Sequence, residues 1–339
     1  MNSLHVYRVV FAVATFGLVG AGKLPAADPT ILNASYDVAR GLYKDLNAGF
    51  QKEWKAKTGE EVTVNMSHGG SSKQARAVLD GLAADVVTMN QDTDIDVLSA
   101  RGNLVAPDWR ARLPFHAAPF TSTILFLVRP GNPKGIRDWD DLVKPGIQVI
   151  IPNPKVTGNG RYSYLAAWAF ALKQSGGEER KAREFVTALF RNVPVLDSGG
   201  RAATSTFAQR GIGDVLLTFE NEVNLIRADA QLGGEKLEIV VPSLSILAEN
   251  PVSVVDRVVD QRGTRNVAEA YLRWLFTPEA QAIGVRHFYR PRDPELLERN
   301  AQLFKQIPLV KVDETFGGWS RAQATHFDDG GVFDQIYEK

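Results

Sequence analysis

The chain has 339 residues, 44% of them apolar and 23% charged, with 39 basic residues against 39 acidic ones. That length suffices for two lobes with separate cores, and a net charge of zero gives no electrostatic footing for nucleic acid. No cysteine occurs, which excludes disulfides, thiolate metal centres and a lipid-modified cysteine anchor.

Residues 1–27 stand apart from the rest. Arg8 precedes an apolar run from Val9 to Gly22, and Pro25-Ala26-Ala27 precedes Asp28, the order of a secretory signal peptide. The alternative, a membrane anchor, needs roughly 20 apolar residues where this run has about 14. Removing 1–27 takes away Arg8 and Lys23 and no acid, leaving a net charge of −2. The overall field of such a chain does not gather anions, so an anion site must rely on local dipoles. The expectation is a soluble, exported protein.

Strand-like and helix-like stretches then alternate. Thr30–Ser35 reads as a short buried strand. From Val38 to Thr58, Leu42, Leu46, Phe50 and Trp54 recur every four residues on one helical face, and Gly59 is placed to stop the helix. Val62–Met66 alternates as a strand, 72–82 is helical, Val86–Met89 a strand and 93–101 a helix. This βαβα order implies a mostly parallel sheet with its chemistry at the C-terminal ends of the strands. Thr123–Val128 is an apolar strand closed by the turn-rich Arg129-Pro130-Gly131-Asn132-Pro133. A second α/β run follows: Asp138–Val143, strand Val149–Ile151, helices Tyr162–Gln174 and 178–190, and strand Val193–Leu196. A helix near Ser205–Arg210, strand Val215–Thr218, a helix around Asn221–Ala230 and strand Leu237–Val241 complete it. Val252–Val255 and a helix over 264–276 close the pattern. The expected architecture is α/β in two lobes joined near 129 and 245, residues 28–128 and 246–339 forming the first and 129–245 the second. Ligand would sit in the cleft between them.

Four stretches rich in Gly, Ser and Thr run straight into helical patterns: Ser35-Tyr36-Asp37, Ser67-His68-Gly69-Gly70-Ser71-Ser72, Thr157-Gly158-Asn159-Gly160 and Ser198-Gly199-Gly200-Arg201. A helix N-terminus carries unpaired N–H groups and about half a positive charge, so several converging ends make a cage of donors for a small anion. Any one of these stretches is more often a plain turn; four in an alternating chain point to an oxyanion receptor. The stretch 67–73 lacks the spacing of a nucleotide-binding phosphate loop. The five histidines are far apart, with no pair at metal-ligand spacing. His68 reads as a loop residue capping backbone groups, since no acid nearby is placed to orient it as a base. Tyr162, Tyr164, Trp168 and Phe170 read as core packing. Glu220 and Glu222 would repel an anion and are expected to point elsewhere.

The segments 33–43 (NASYDVARGLY), 67–75 (SHGGSSKQA), 122–146, 152–168 (PNPKVTGNGRYSYLAAW), 195–222 and 245–256 (SILAENPVSVVD) resemble the periplasmic sulfate- and thiosulfate-binding proteins of ABC importers. So do 288–295 (FYRPRDPE) and 316–331, and the resemblance covers almost the whole mature chain. It implies a two-lobed, type II periplasmic binding fold closing on one tetrahedral dianion, a membrane permease as partner, and a monomer without cofactor or catalytic activity. Position by position, it implies anion donors at the backbone N–H groups of Asp37, Ser71, Gly158, Asn159 and Gly200. Thr157 takes the place of a serine hydroxyl, and Arg201 that of an arginine bracing the backbone around the anion.

One departure concerns chemistry. Phe219 stands where the sulfate binders have a tryptophan whose indole N–H donates to the anion, and phenylalanine has no donor. Loss of one hydrogen bond to a charged group, about 1.5–3 kcal/mol, lowers sulfate affinity roughly 10–150-fold unless compensated. An apolar wall suits the larger, softer sulfur of thiosulfate, and the thiosulfate-binding subgroup resembles the chain here and at Thr88-Met89-Asn90-Gln91. The tail 316–331 is closer to the sulfate binders. Thiosulfate is the favoured ligand. A receptor for molybdate or phosphate, or an ester hydrolase, are the rival readings. Phosphate needs an acidic acceptor, for which Asp37 is the candidate, and a hydrolase needs a nucleophile–base pair or metal cluster.

Overall fold

A computed structural model describes residues 28–337, so the leader expected at 1–27 lies outside the described residues. The described residues build two main sheets, each covered on both faces, and two smaller ones. In the first, the strand order is Val252–Val254, Val86–Thr88, Thr30–Tyr36, Thr63–Gly69. Thr30–Tyr36 runs parallel to both Thr63–Gly69 and Val86–Thr88, and Val252–Val254 is antiparallel. Alternation sends Val86 and Val87 to opposite faces and into separate cores. Helix Arg40–Thr58 buries Leu42, Leu46, Phe50 and Trp54 against one face, as its four-residue recurrence requires, and ends at Gly59 in the left-handed conformation. Helices Ser71–Leu79 and Thr93–Ala100 cover the other face.

The second sheet has the order Leu196–Asp197, Val149–Pro152, Val215–Phe219, Ile124–Val128, Glu238–Val240. Phe126, Ile151 and Leu217 face helix Gly158–Ser175, which is buried along nearly all its length. Leu127, Ile150 and Leu216 pack on Phe207, Val223 and Ile226 on the opposite side. Between the sheets the chain passes through a three-stranded patch in which Phe120–Ser122 pairs with both Ala248–Asn250 and Arg290–Pro291. Just before it, Phe115, His116 and Ala117 hold three consecutive left-handed conformations, with φ of 54°, 56° and 60°.

Two features of the lobe division differ from the sequence expectation. Ile124–Val128 pairs with Val215–Phe219, so it belongs to the second sheet and the first crossing lies ahead of it. The Arg129-Pro130 turn ends a strand but not a lobe. The tail also departs: Leu309–Val310 pairs with Ser245–Ile246, and Val312, Phe316, Trp319, Phe327 and Phe333 join the core of the second sheet. Spaced aromatics announce that the tail is buried, not which sheet it covers. Trp319 stands edge-on to Tyr162 with ring centroids 4.9 Å apart.

Helix starts also shift. The helix expected from Tyr162 begins at Gly158, and the one expected near Ser205 begins at Gly200, with a π-helical turn at Ser205–Gln209. Both displacements bring candidate anion donors into a first helical turn. Among the described residues no helix is long and apolar enough to cross a membrane.

Because Trp319 belongs to the second core, Trp319→Ala should cost about 3–5 kcal/mol of unfolding free energy. A denaturant titration reads this directly; a loss below about 0.5 kcal/mol, the surface range, would mean that the tail does not belong to that core.

Candidate anion-binding cleft

Every candidate residue sits where a strand ends and a helical turn begins. Asp37 opens the turn Asp37–Ala39 after strand Thr30–Tyr36, and Ser71 opens helix Ser71–Leu79 after strand Thr63–Gly69. From the second sheet, Thr157 caps helix Gly158–Ser175, Gly200 opens helix Gly200–Thr204, and Phe219 precedes helix Glu220–Ala228. Among the described residues, the N–H groups of Ser71, Gly158, Asn159 and Gly200 have no hydrogen-bond partner, as their first-turn positions require.

The two sheets meet at these ends. A Cβ placed on Gly199 would lie 3.6 Å from Asp37 Oδ2, and one on Gly158 would lie 2.1 Å from Asn90 Oδ1. The Asn90 N–H donates to Ser71 Oγ at 3.2 Å, linking Ser71 to the same junction. On the second sheet, a Cβ on Gly200 would meet Glu222 Oε2 at 3.0 Å and Asn159 Nδ2 at 3.4 Å. Asp37, Ser71, Gly158, Asn159 and Gly200 are therefore gathered in one region.

The remaining candidates behave differently. The Thr157 hydroxyl donates to the Asn153 carbonyl at 2.9 Å and accepts from Gly160 N–H at 3.0 Å. These two bonds make Thr157 the cap of that helix. Arg201 is exposed and makes no side-chain hydrogen bond among the described residues, although its charge acts on Asp37 and Glu222. The bracing expected of it is done by the buried Arg161, whose Nε and Nη2 donate to the carbonyls of Pro154 and Lys155, each at 3.0 Å. Arg161 gave no signal in sequence because it lies inside a helix that is otherwise buried. Gly160 is required by the same turn: a Cβ there would lie 2.2 Å from the Pro152 carbonyl oxygen. Phe219 is 1% exposed and packs edge-on to Tyr162 at 5.8 Å, presenting carbon only.

Glu222 overturns one expectation. Glu220 does point away, into a pair with Arg290 at 2.5 and 2.8 Å. Glu222 instead lies against Gly200, its carboxylate accepting from Thr218 Oγ1 at 2.5 Å, Thr204 Oγ1 at 2.9 Å and Asn159 Nδ2 at 3.3 Å. These bonds, and the helix N-terminus on which Glu222 sits, offset the repulsion that argued against it. It ties together the three elements that carry Asn159, Gly200 and Phe219. Burial raises its pKa; the threonine bonds oppose that rise, Asp37 adds to it and Arg201 draws it down. Burial likewise raises Asp37, against the Val38 N–H bond and the charge of Arg201. His68 is shifted the other way, burial lowering its pKa, and its Nδ1 faces the Tyr36 carbonyl at 3.3 Å, the backbone-capping role its sequence context suggests.

A carboxyl whose pKa is raised on folding contributes stability below its unfolded value, and that contribution is lost as pH rises through the folded value. Glu222→Gln should therefore gain melting temperature relative to the wild type as pH rises above the ordinary value of 4.5. Thermal melts of both proteins across that range check this; a constant difference would mean that the carboxyl titrates normally.

The chain matches the family model described as bacterial extracellular solute-binding protein over residues 32–290. It is 57% identical over 321 residues to a thiosulfate-binding protein of Pseudomonas aeruginosa, covering 95% of this chain and 96% of that one. It is 51% identical over 322 residues to a sulfate-binding protein of Escherichia coli K12, covering 95% and 97%. The solved structure of the sulfate-binding protein SubI from Mycobacterium tuberculosis superposes with a TM-score of 0.78 at 32% identity, covering 88% of this chain and all of that one. With the strand-end cleft in place, the chain belongs to the sulfate- and thiosulfate-binding family of bacterial extracellular solute-binding proteins.

Proposed function

We propose that the protein is a receptor for thiosulfate and sulfate, with thiosulfate preferred, that delivers its ligand to the permease of an ABC importer. The carrying observation is the convergence of unpaired N–H groups at Ser71, Gly158, Asn159 and Gly200 from two sheets into one junction. With Asp37 N–H, these donors stabilise a dianion by aligned dipoles rather than by a formal counter-charge. Donors from both lobes engage one ligand only when the lobes are together, so the anion favours the closed form by its differential affinity. The relatives of known name are binding proteins, which supports reading this chain as a binding protein rather than an enzyme. Cleavage of 1–27 would release it as a monomer on the outer side of the inner membrane, where a permease can meet it.

Selectivity follows from the same donors. Hydrogen phosphate brings a proton that needs an acceptor. The Glu222 carboxylate is occupied by three donors and Asp37 Oδ1 accepts from the Val38 N–H, so neither carboxylate is offered to that proton. Thiosulfate carries no proton at neutral pH, and the Phe219 ring offers its sulfur an apolar wall.

Calorimetric titration of the mature chain, 28–339, tests the reading. Thiosulfate should bind more tightly than sulfate, and hydrogen phosphate about 5–150-fold more weakly than either, the cost of an unpaired buried proton. Absence of binding heat with all three would overturn the receptor reading. Phe219→Trp should strengthen sulfate binding roughly 10–150-fold by restoring a donor; unchanged sulfate affinity would separate Phe219 from ligand choice.

A further inference from the structure

We propose that the side-chain amide of Asn90 is a direct anion ligand, contributed by the first lobe to the N-terminus of the second lobe's principal anion-binding helix. This rests on the receptor reading above and adds a residue to its site. Asn90 follows strand Val86–Thr88, the third parallel strand to end at the cleft, and neither Asp37 nor Ser71 lies on that strand. It is only 6% exposed, yet its Oδ1 has no hydrogen-bond partner among the described residues. A buried amide oxygen left unpaired costs about 1–3 kcal/mol, and such groups in native proteins are nearly always satisfied.

The direction of the amide identifies what would satisfy it. A Cβ on Gly158 would lie 2.1 Å from Asn90 Oδ1, 2.8 Å from Cγ and 3.1 Å from Nδ2. The carboxamide thus occupies the space left by the missing side chain at the first residue of an 18-residue helix. It stands beside the unpaired N–H groups of Gly158 and Asn159. Its backbone is fixed by the hydrogen bond from its N–H to Ser71 Oγ, so the amide is held within reach of donors from both lobes.

The two ends of an asparagine amide exchange places by a half-turn about χ2, which is a soft torsion. In one orientation the oxygen faces the helix donors; in the other, Nδ2 offers its N–H groups to an anion seated there. Asn90 therefore holds an unpaired amide beside unpaired N–H groups, and by turning that amide it becomes a donor to an anion seated there. Through it the first lobe adds a hydrogen bond to a ligand carried mainly by the second, at a site where Phe219 supplies none.

The experiment is calorimetry with thiosulfate and with sulfate on the wild type, Asn90→Ala and Asn90→Asp, with melting temperatures of the unliganded proteins. Asn90→Ala should weaken thiosulfate binding about 10–150-fold, the value of one hydrogen bond to a charged group. Asn90→Asp keeps the size and places a carboxylate against the dianion, so it should bind more weakly still. Its affinity relative to the wild type, in which Asp37 and Glu222 titrate too, should recover as pH falls and that carboxyl takes up a proton. Undiminished binding by Asn90→Ala with a binding wild type would overturn the proposal and leave the receptor reading intact. Equal losses in both variants with no pH recovery in Asn90→Asp would assign Asn90 a packing role and overturn it too. A wild type that binds neither anion would instead remove the receptor reading.

Discussion

The first turn of a helix cannot satisfy its own N–H groups, and most of this structure follows from where those groups are aimed. The parallel strands of each sheet feed helices whose N-termini lie at the strand C-terminal ends. Two such sheets facing each other bring the unpaired donors of both into one cleft. Glycine recurs at these starts because a side chain there would collide with the opposite lobe, with Glu222 or with the preceding turn. The fold holds the donors in place, so no lysine or arginine is needed beside them to oppose a negative charge.

Around that cleft is a layer of polar side chains whose hydrogen bonds hold backbone and one another in place. Thr157 caps, Arg161 grips two carbonyls of the loop before it, and Glu222 joins Asn159, Thr204 and Thr218. Each bond lies within one lobe. All of them belong to the second lobe, which can thus keep its half of the site in shape while the two lobes move relative to one another.

Much of this was legible in the chain. The four-residue recurrence of Leu42, Leu46, Phe50 and Trp54 fixes a helix and its buried face, and the Gly- and Ser-rich stretches mark where helices start. Periodicity placed two of those starts several residues late, because Gly158, Asn159 and Gly200 carry no apolar signal although they belong to the first turn. Glu222 was misjudged because repulsion between like charges can be read from sequence, whereas two threonines and an amide converging on a carboxylate cannot. Asn90 was noticed only as part of a resembling tetrapeptide; its contact with Gly158 spans two lobes and more than sixty positions. The tail was placed on the wrong side for the same reason, since an apolar face does not name its partner.

The threading of the chain has a consequence for the order of events after synthesis. The first sheet is begun by Thr30–Tyr36 but lacks an edge until Val252–Val254 exists, and the second core lacks Trp319, Phe327 and Phe333 until almost the last residues are made. The second core therefore cannot finish until those residues are made, and its long-range contacts, slow by nature, must wait for them. A core whose closing residues come this late in the chain is still open while they are awaited, a condition that suits a polypeptide passed through a narrow pore before it folds.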